Sequence, residues 1–487
     1  MTITKHRLNV FYLLLMLIST SDILPQAPDT LWTKIIGGSG TDIGVEIIQT
    51  SDGGFAVAGY TTSFGVIQRD AFIVRLDSLG NIIWQKTYGG NLLEQAYSIK
   101  ETYDNGFIIS AFRYSNTSNL WLIKIDSDGD TLWTRNVGYD KNEFGTNLQV
   151  AEDGGFLLSG YTDSDIITNG DRDVWLVKFD SAGNKLWERN FGGDDADEGF
   201  NLLKLADGNL IIAGYSESFS GGDRDGWIVK TDSSGTFTWS NSFGSGSYDD
   251  FTSAAEDDDG NLYFTGTTES SGDRNLWVVK TDSAGNHILT KTYGGTLWEW
   301  GQDIKRTTDG NFILTGYSQS NSTSLRQLWI LKIDEQCDTL WTKLFTSVNG
   351  SEGYSIIQTT DNGFAVTGTA GSSVTGPDVW VIRLLEEGVT SINEYSSQIP
   401  GEFYLEQNYP NPFNPTTKLS FVISHQSFVT LNVYDLLGNK IATLINEDIP
   451  AGNYHLNFNA DELTSGVYFY QLKTNNMVQT KKMILIK

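Results

Sequence analysis

The chain has 487 residues, with 33 Lys and Arg against 60 Asp and Glu, a formal net charge of −27. Such a charge repels phosphate backbones and anionic membranes, which argues against nucleic acid as a partner. Hydrophobic residues at 39%, including 14 Trp, 21 Tyr and 25 Phe, are enough for a large core and exclude a disordered chain, while the single Cys337 excludes an internal disulfide.

The first segment is a processing signal. Lys5, His6 and Arg7 precede a largely apolar run over 8–18, and a polar stretch follows. A basic start, a short apolar core and a polar exit make residues 1–27 a signal peptide, too short to span a bilayer comfortably. No later segment is apolar enough to be transmembrane. The mature chain is expected to be exported and soluble.

From residue 28 onward one phrase returns. In its clearest copy Phe72, Val74 and Leu76 alternate along a strand, Asp77-Ser78-Leu79-Gly80-Asn81 has turn chemistry, and Ile82 restarts an apolar strand ending on Trp84. The closing position is held by Trp32, Trp84, Trp133, Trp187, Trp239, Leu289 and Trp341, at separations of 49 to 54 residues. A period of that size signals a repeat architecture. Each repeat carries a second hairpin, whose turn reads Asp52-Gly53-Gly54, Asp104-Asn105-Gly106, Asp153-Gly154-Gly155 and onward to Asp361-Asn362-Gly363. Glycine supplies the positive φ of these turns, and the aspartate bonds the backbone beyond it. Four antiparallel strands repeated seven times predict the blades of a seven-bladed β-propeller over 28–385. The first blade is expected from about Val45 to Tyr88. The seventh, from Tyr354 to Leu385, has only three strands, and the segment 30–36 has the sequence of its missing fourth. The N-terminal strand is therefore predicted to close the last blade.

Residues 386–402 are polar, lack strand pattern and read as a linker. Alternating runs then follow at 419–423, 429–434, 440–445, 454–459, 467–472 and 477–486, which suggests a β-sandwich of immunoglobulin-like build over 403–487. The chain is thus expected to be all-β.

Two resemblances follow from these residues. Pro410, Asn411, Pro412, Phe413, Asn414 and Pro415 within N-Y-P-N-P-F-N-P-T-T, then V-Y-D-L-L-G at 433–438, Gly466 within S-G-V-Y-F-Y, and Lys481 and Lys482 within the terminal K-K-M-I-L-I-K resemble the type A C-terminal sorting domain of type IX secretion cargo in Bacteroidetes-like bacteria. That resemblance implies the type IX secretion machinery as a partner and a destination outside the cell or on its outer surface. The repeats resemble secreted bacterial propellers with D-G-G-F and W-L-V-K-x-D phrases, which implies a fold and no activity.

Candidate chemistry sits on the face opposite the two turns. An acidic residue stands ten positions before most of the turn aspartates: Asp42, Glu94, Glu143, Asp197, Asp249 and Glu299, with Ser351-Glu352 in the seventh copy. Three positions before the opening aromatic stand Arg69, Arg172, Arg224, Arg274 and Arg326, with Ser118 and Pro377 interrupting. These acidic and basic rings are expected to pair, pinning neighbouring blades. Trp298 and Trp300, the only tryptophans outside the repeat registers, suggest an exposed platform for a glycan beside carboxylates. A surface protein is the other partner considered. Asp126, Asp128 and Asp130 resemble an oxygen-rich Ca²⁺ loop, but sister copies at the same register lack enough carboxylates for a cage, so turn formation accounts for them better. No other cofactor is expected.

The D-S-x-G-N-x-x-W phrase is similar to the sialidase Asp-box and to the quinoprotein tryptophan motif, yet departs from both in aspartate-to-glycine spacing, so neither activity carries over. His6, His287, His425 and His455 are the only histidines, which leaves no basis for a His-based metal site or triad. The reading that results is a monomeric, exported, non-catalytic binding or surface module. Its alternatives are a polysaccharide-active hydrolase or lyase using carboxylates of the propeller face, and a purely structural surface protein.

Overall fold

The computed structural model describes residues 26–387 and 404–487 apart from 67, 115, 140, 167, 169–171, 221–222, 245–246, 271, 321–324, 373–375, 406, 409, 424–426, 437, 450–451, 461–462 and 475–476. The segment 1–25, which holds most of the expected signal peptide, and most of the expected linker lie outside the described residues. Among the described residues every regular element is a strand, and no helix is long and apolar enough to cross a membrane. The chain divides into two compact units between residues 391 and 392.

Among its described residues the first unit has seven four-stranded antiparallel sheets. Sheet I runs Asp42–Gln49, Phe55–Thr61, Asp70–Leu76 and Ile82–Tyr88 in spatial as in chain order. The next five sheets repeat this meander, with first strands Leu93–Glu101, Glu143–Val150, Asp197–Lys204, Asp249–Glu256 and Glu299–Arg306. The seventh contributes only Ser351–Gln358, Phe364–Ala370 and Asp378–Leu384, and its outer position is filled by Thr30–Ile36, with Thr33 opposite Ile382 and Ile35 opposite Trp380. The first strands touch one another in a closed cycle, the last against the first, as in a β-propeller.

The recurring turn residues explain why the sheets stack. The glycine of the D-S-x-G-N turn has φ near +80° and lies under the closing tryptophan of the preceding sheet: a Cβ on Gly80 would sit 2.9 Å from the Trp32 ring, and one on Gly183 would sit 2.7 Å from Trp133. Cys337 takes this glycine's position in the sixth sheet, buried and with φ +61°. A second lock lies within five of the sheets. Buried cations of the third strands, Arg75, Lys124, Lys178, Lys332 and Arg383, reach the aspartates of the other turn, Asp52, Asp104, Asp153, Asp309 and Asp361. Each aspartate also accepts a bond from a nearby threonine or backbone N–H, as Asp52 does from Gly54 at 3.0 Å, so a single carboxylate fastens turn and strand together.

The first strands begin earlier than the alternation predicts, at Asp42 rather than Val45 in sheet I. A β-bulge between Gly44 and Glu46, repeated at the same place in the other sheets, shifts the inside–outside phase and conceals the first three residues of the strand.

The second unit has a three-stranded sheet (Tyr404–Leu405, Thr416–Ile423, Gly452–Asn459) and a four-stranded sheet (Ser427–Tyr434, Lys440–Ile449, Gly466–Lys473, Val478–Leu485) around a core that includes Phe413, Phe421, Leu431 and Tyr470. The proline-rich motif docks on the terminal strand. Phe413 N–H donates to Ile484 O and Ile486 N–H donates back to Phe413 O, while Asn411 Oδ1 accepts from Ile484 N–H at 2.9 Å. The peptide bond between Asn411 and Pro412 is cis. Pro410 O accepts the Thr417 hydroxyl, Pro415 O accepts Ala460 N–H, and Lys482 O accepts from Asn411 Nδ2. Lys481 and Lys482 stand opposite Tyr470 and Phe469, and Gly466 opposite Leu485; Asn414 is exposed. Because the Asn411 acceptor satisfies a partly buried backbone donor, Asn411→Ala is expected to cost about 1 kcal/mol. The loss should appear in the urea transition followed by circular dichroism and leave tryptophan fluorescence unmoved, since Trp380 is the last tryptophan in the chain.

Candidate functional site

Along each first strand, side chains alternate between the junction of two sheets and the central channel. Counting from Asp42, Glu94, Glu143, Asp197, Asp249, Glu299 and Ser351 as the first position, the residue at the second position faces the channel: Ile43, Gln95, Phe144, Glu198, Asp250, Trp300 and Glu352 in order. All of these except Glu352 line a cavity of about 500 Å³, which also takes in Tyr354 of the seventh sheet.

Four of the five arginines bind this second position: for Arg69, Arg172 and Arg224 that corrects the pairing expected from sequence, which placed the acidic residue before it in the ring, whereas Arg326 meets Glu352, the acid expected in the seventh copy. Arg172 bonds Glu198, Arg224 Nη2 lies 3.2 Å from Asp250 Oδ2, Arg326 bonds Glu352, and Arg69 Nη1 donates to Gln95 Oε1 at 2.8 Å, each partner 26 residues on and in the next sheet. Each guanidinium also lies over a tyrosine of its own sheet, at 4.1 Å for Arg69 and Tyr60, 4.6 Å for Arg172 and Tyr161, 3.4 Å for Arg224 and Tyr215, and 4.6 Å for Arg326 and Tyr317. The result is a girdle of stacked, bridging arginines at the channel mouth.

The buried first-position acids serve the loops instead, because strand alternation turns them away from the arginines. Asp42 accepts from Gly38 N–H and the Ser63 hydroxyl, both at 2.8 Å, Asp197 from Gly193 N–H and the Ser218 hydroxyl, and Glu299 from Gly295 N–H and the Ser318 hydroxyl. Glu94 pairs with Arg113, outside the predicted ring, at 2.9 Å. Glu143 and Asp249 are likewise fully buried.

A second acidic row escaped sequence reasoning. Asp70, Asp173, Asp225 and Asp378 follow directly on Arg69, Arg172, Arg224 and Pro377. They cross sheet junctions toward the first-position acids: Gly37 is squeezed between Asp378 and Asp42, Gly192 between Asp173 and Asp197, and Gly244 between Asp225 and Asp249. Burial, and then the neighbouring carboxylate, raise the pKa of Asp225 and Asp378; burial raises Asp70, and burial with Asp70 nearby raises Glu94.

The fifth and sixth sheets break the ring's regularity. Asp250 is buried, its Oδ1 accepting Thr267 N–H at 3.0 Å, and burial pushes its pKa up to about 6 against the opposing pull of Arg224. Tyr248, pushed up to about 12 by burial and then by Asp250, lies between two guanidiniums, Arg224 and Arg274, each 4.2 Å from its ring centre. Arg274 also faces Trp298 at 5.3 Å and Trp300 at 5.8 Å. Trp298 is 43% exposed, whereas Trp300 is half-buried at the channel wall.

The remaining candidates have local roles. Asp126 Oδ1 accepts the N–H groups of Asp128 and Asp130, and Asp130 pairs with Lys86 at 2.6 Å. Among the described residues no group of three or more His, Cys, Asp or Glu is placed to hold a metal ion. His287 Nε2 bonds the Thr290 hydroxyl at 2.9 Å, at the outer strand of the fifth sheet.

Comparison with known proteins sets this geometry in context. About an eighth of the regulatory protein FlaEY of Caulobacter vibrioides aligns with 21% of this chain, 30% identical over 114 residues. Among solved structures, PorZ of Porphyromonas gingivalis, described as an essential surface component of the type IX secretion system, is 13% identical with a TM-score of 0.45; the alignment covers 93% of this chain and 60% of PorZ. The β-propeller domain of the trilobed protease from Pyrococcus furiosus is 10% identical with a TM-score of 0.41, over 77% of this chain and 99% of that domain. Residues 407–487 match the family model of the secretion system C-terminal sorting domain. A β-propeller is thus joined to a type IX sorting domain, which implies export to the cell surface or beyond.

Proposed function

We propose that the chain is an exported, non-catalytic binding module: a signal peptide over 1–27, a seven-bladed propeller over 28–385, a linker over 386–402 and an immunoglobulin-like sorting domain over 403–487. In this reading the sorting domain engages the type IX machinery through its proline-rich motif and terminal strand, and the channel mouth meets a glycan or a surface protein. The observation that carries the binding role is the mouth itself. Five arginines converge there on a chain of net charge −27, and Glu198, Asp250 and Glu352 are each held by one of them. Asp250 is the carboxylate a hydrolase would draw on, but Arg224 and the Thr267 N–H already engage it, which favours binding over catalysis.

Delivery is tested by expressing the chain in a type IX-competent bacterium with and without residues 403–487. The full chain is expected at the surface or in the medium and the truncated one in the periplasm. Equal surface exposure of both would overturn the assignment.

A further inference from the structure

At four of five ring positions the side chain 26 residues beyond an arginine supplies an oxygen to its guanidinium: Gln95, Glu198, Asp250 and Glu352. For Arg274 that position is Trp300, which has no oxygen to offer. Arg274 instead bonds Glu269 of its own sheet at 3.0 Å through Nε, the inner nitrogen of the fork. Among the described residues no acceptor is recorded for its two terminal nitrogens, and the side chain keeps 24% of its surface exposed. Two aromatic rings lie against the guanidinium, Tyr248 at 4.2 Å and the exposed Trp298 at 5.3 Å. Aromatic neighbours at these distances hold a guanidinium by cation–π attraction and leave its two terminal nitrogens to donate in parallel, the geometry a carboxylate accepts. Trp300 adds a buried indole N–H with no partner among the described residues.

We propose that Arg274, Trp298 and Trp300 form a subsite for a uronic acid residue, the carboxylate meeting the Arg274 edge and the sugar ring lying on the Trp298 face. The assignment rests on the binding role of the channel mouth and narrows its ligand to acidic saccharides. An acidic peptide supplies the carboxylate but no rigid ring to cover an exposed indole. A neutral sugar covers the indole and leaves the guanidinium edge without a partner.

The test uses the mature full-length chain and two probes with the same sugar backbone, homogalacturonan and its uncharged, fully methyl-esterified form, with binding followed by affinity electrophoresis at about 0.15 M salt, where the repulsion between the net negative chain and the polyanion is screened. Homogalacturonan is expected to bind at least about tenfold more tightly than the ester. Arg274→Gln should remove that preference, Arg274→Lys should retain part of it, and Trp298→Ala should weaken both polymers. Arg135→Gln, a substitution on an outer strand, should change nothing, and unchanged melting of each variant verifies folding. Equal binding of acid and ester, both sensitive to Trp298→Ala, would overturn the acidic assignment while the mouth remained the binding face. Binding insensitive to both Arg274→Gln and Trp298→Ala would overturn both readings. Failure of homogalacturonan to bind, or its displacement by equimolar polyglutamate, would overturn the proposal.

Discussion

Deleting residues 28–37 is expected to abolish the sharp thermal transition of the propeller. This short segment ties the first sheet to the sixth and seventh, at the other end of the unit's sequence. Thr30–Ile36 supplies the outer strand of the seventh sheet, and Asp29 O accepts Leu385 N–H at 2.9 Å. Trp32 stands edge-on to Phe55 at 5.9 Å and covers Gly80, both in the first sheet. Lys343 of the sixth sheet donates to Pro28 O. Without the segment, the strand Asp378–Leu384 becomes an open edge, the first and seventh sheets lose a shared apolar contact, and the ring is held there by its inner strands alone. Trp32→Ala keeps the strand but removes its largest side chain, with an expected cost of about 3 kcal/mol. Calorimetry of the deletion should show a broadened transition at lower temperature, and a peptide of residues 28–37 added in trans should restore part of the loss. A deletion variant that melts as sharply and as high as the intact chain would show that closure is not a stabilising element.

The closure strand was legible because every feature that marks it is local: Leu31-Trp32-Thr33-Lys34 repeats the text of the other fourth strands. The turn at Asp77–Asn81 was legible for the same reason, since Asp77 Oδ1 accepts from Leu79 and Asn81 within five residues. What escaped depended on register across a sheet junction. The pairing of Arg172 with Glu198 and not Asp197 is decided by which face of the strand each acid occupies, and the bulge after Gly199 disguises the alternation. The buried cations were visible as the lysine of W-L-V-K, but a lysine in a strand reads as solvent-facing until the turn aspartate beside it is placed. In the sorting domain the motif identified its family, whereas the docking of Asn411 on Ile484, more than seventy residues away, follows from no spacing. Arg274 was legible only as one of a series. Its distinction lies in a missing side-chain oxygen, which shows once the other four partners are known.

The stability of the propeller is expected to pass through a maximum at about pH 4 to 5, because two sets of carboxylates oppose one another. Asp250, Asp70, Glu94, Asp225 and Asp378 have raised pKa values. The folded chain retains protons on them that the unfolded chain has released, so their contribution is greatest at low pH and falls as pH rises through each raised value. For Asp250, about 6 against an ordinary 3.8, the difference corresponds to at most about 3 kcal/mol. Asp52 and Asp104, held down at about 2, and Asp153, Asp309 and Asp361, also lowered, behave in the opposite sense. Their contribution is present above about pH 4 and disappears as pH falls toward 2, releasing the buried Arg75, Lys124, Lys178, Lys332 and Arg383 from their partners. These turn carboxylates are largely solvated, so screening reduces each to about 0.5 kcal/mol, and the five together to about 2–3 kcal/mol. Falling net negative charge on acidification reinforces the neutral-side slope. Melting temperatures between pH 2 and 8 should therefore stay nearly level from pH 8 to about 7, rise as pH falls through about 6 toward 5, and fall below 4. Asp250→Asn should flatten the neutral limb, and the double substitution Asp52→Asn with Asp104→Asn should flatten the acid limb. A melting temperature that climbs without a turn from pH 4 to 8 would mean that the junction acids are ionised at no cost, and the burial argument for them would be wrong.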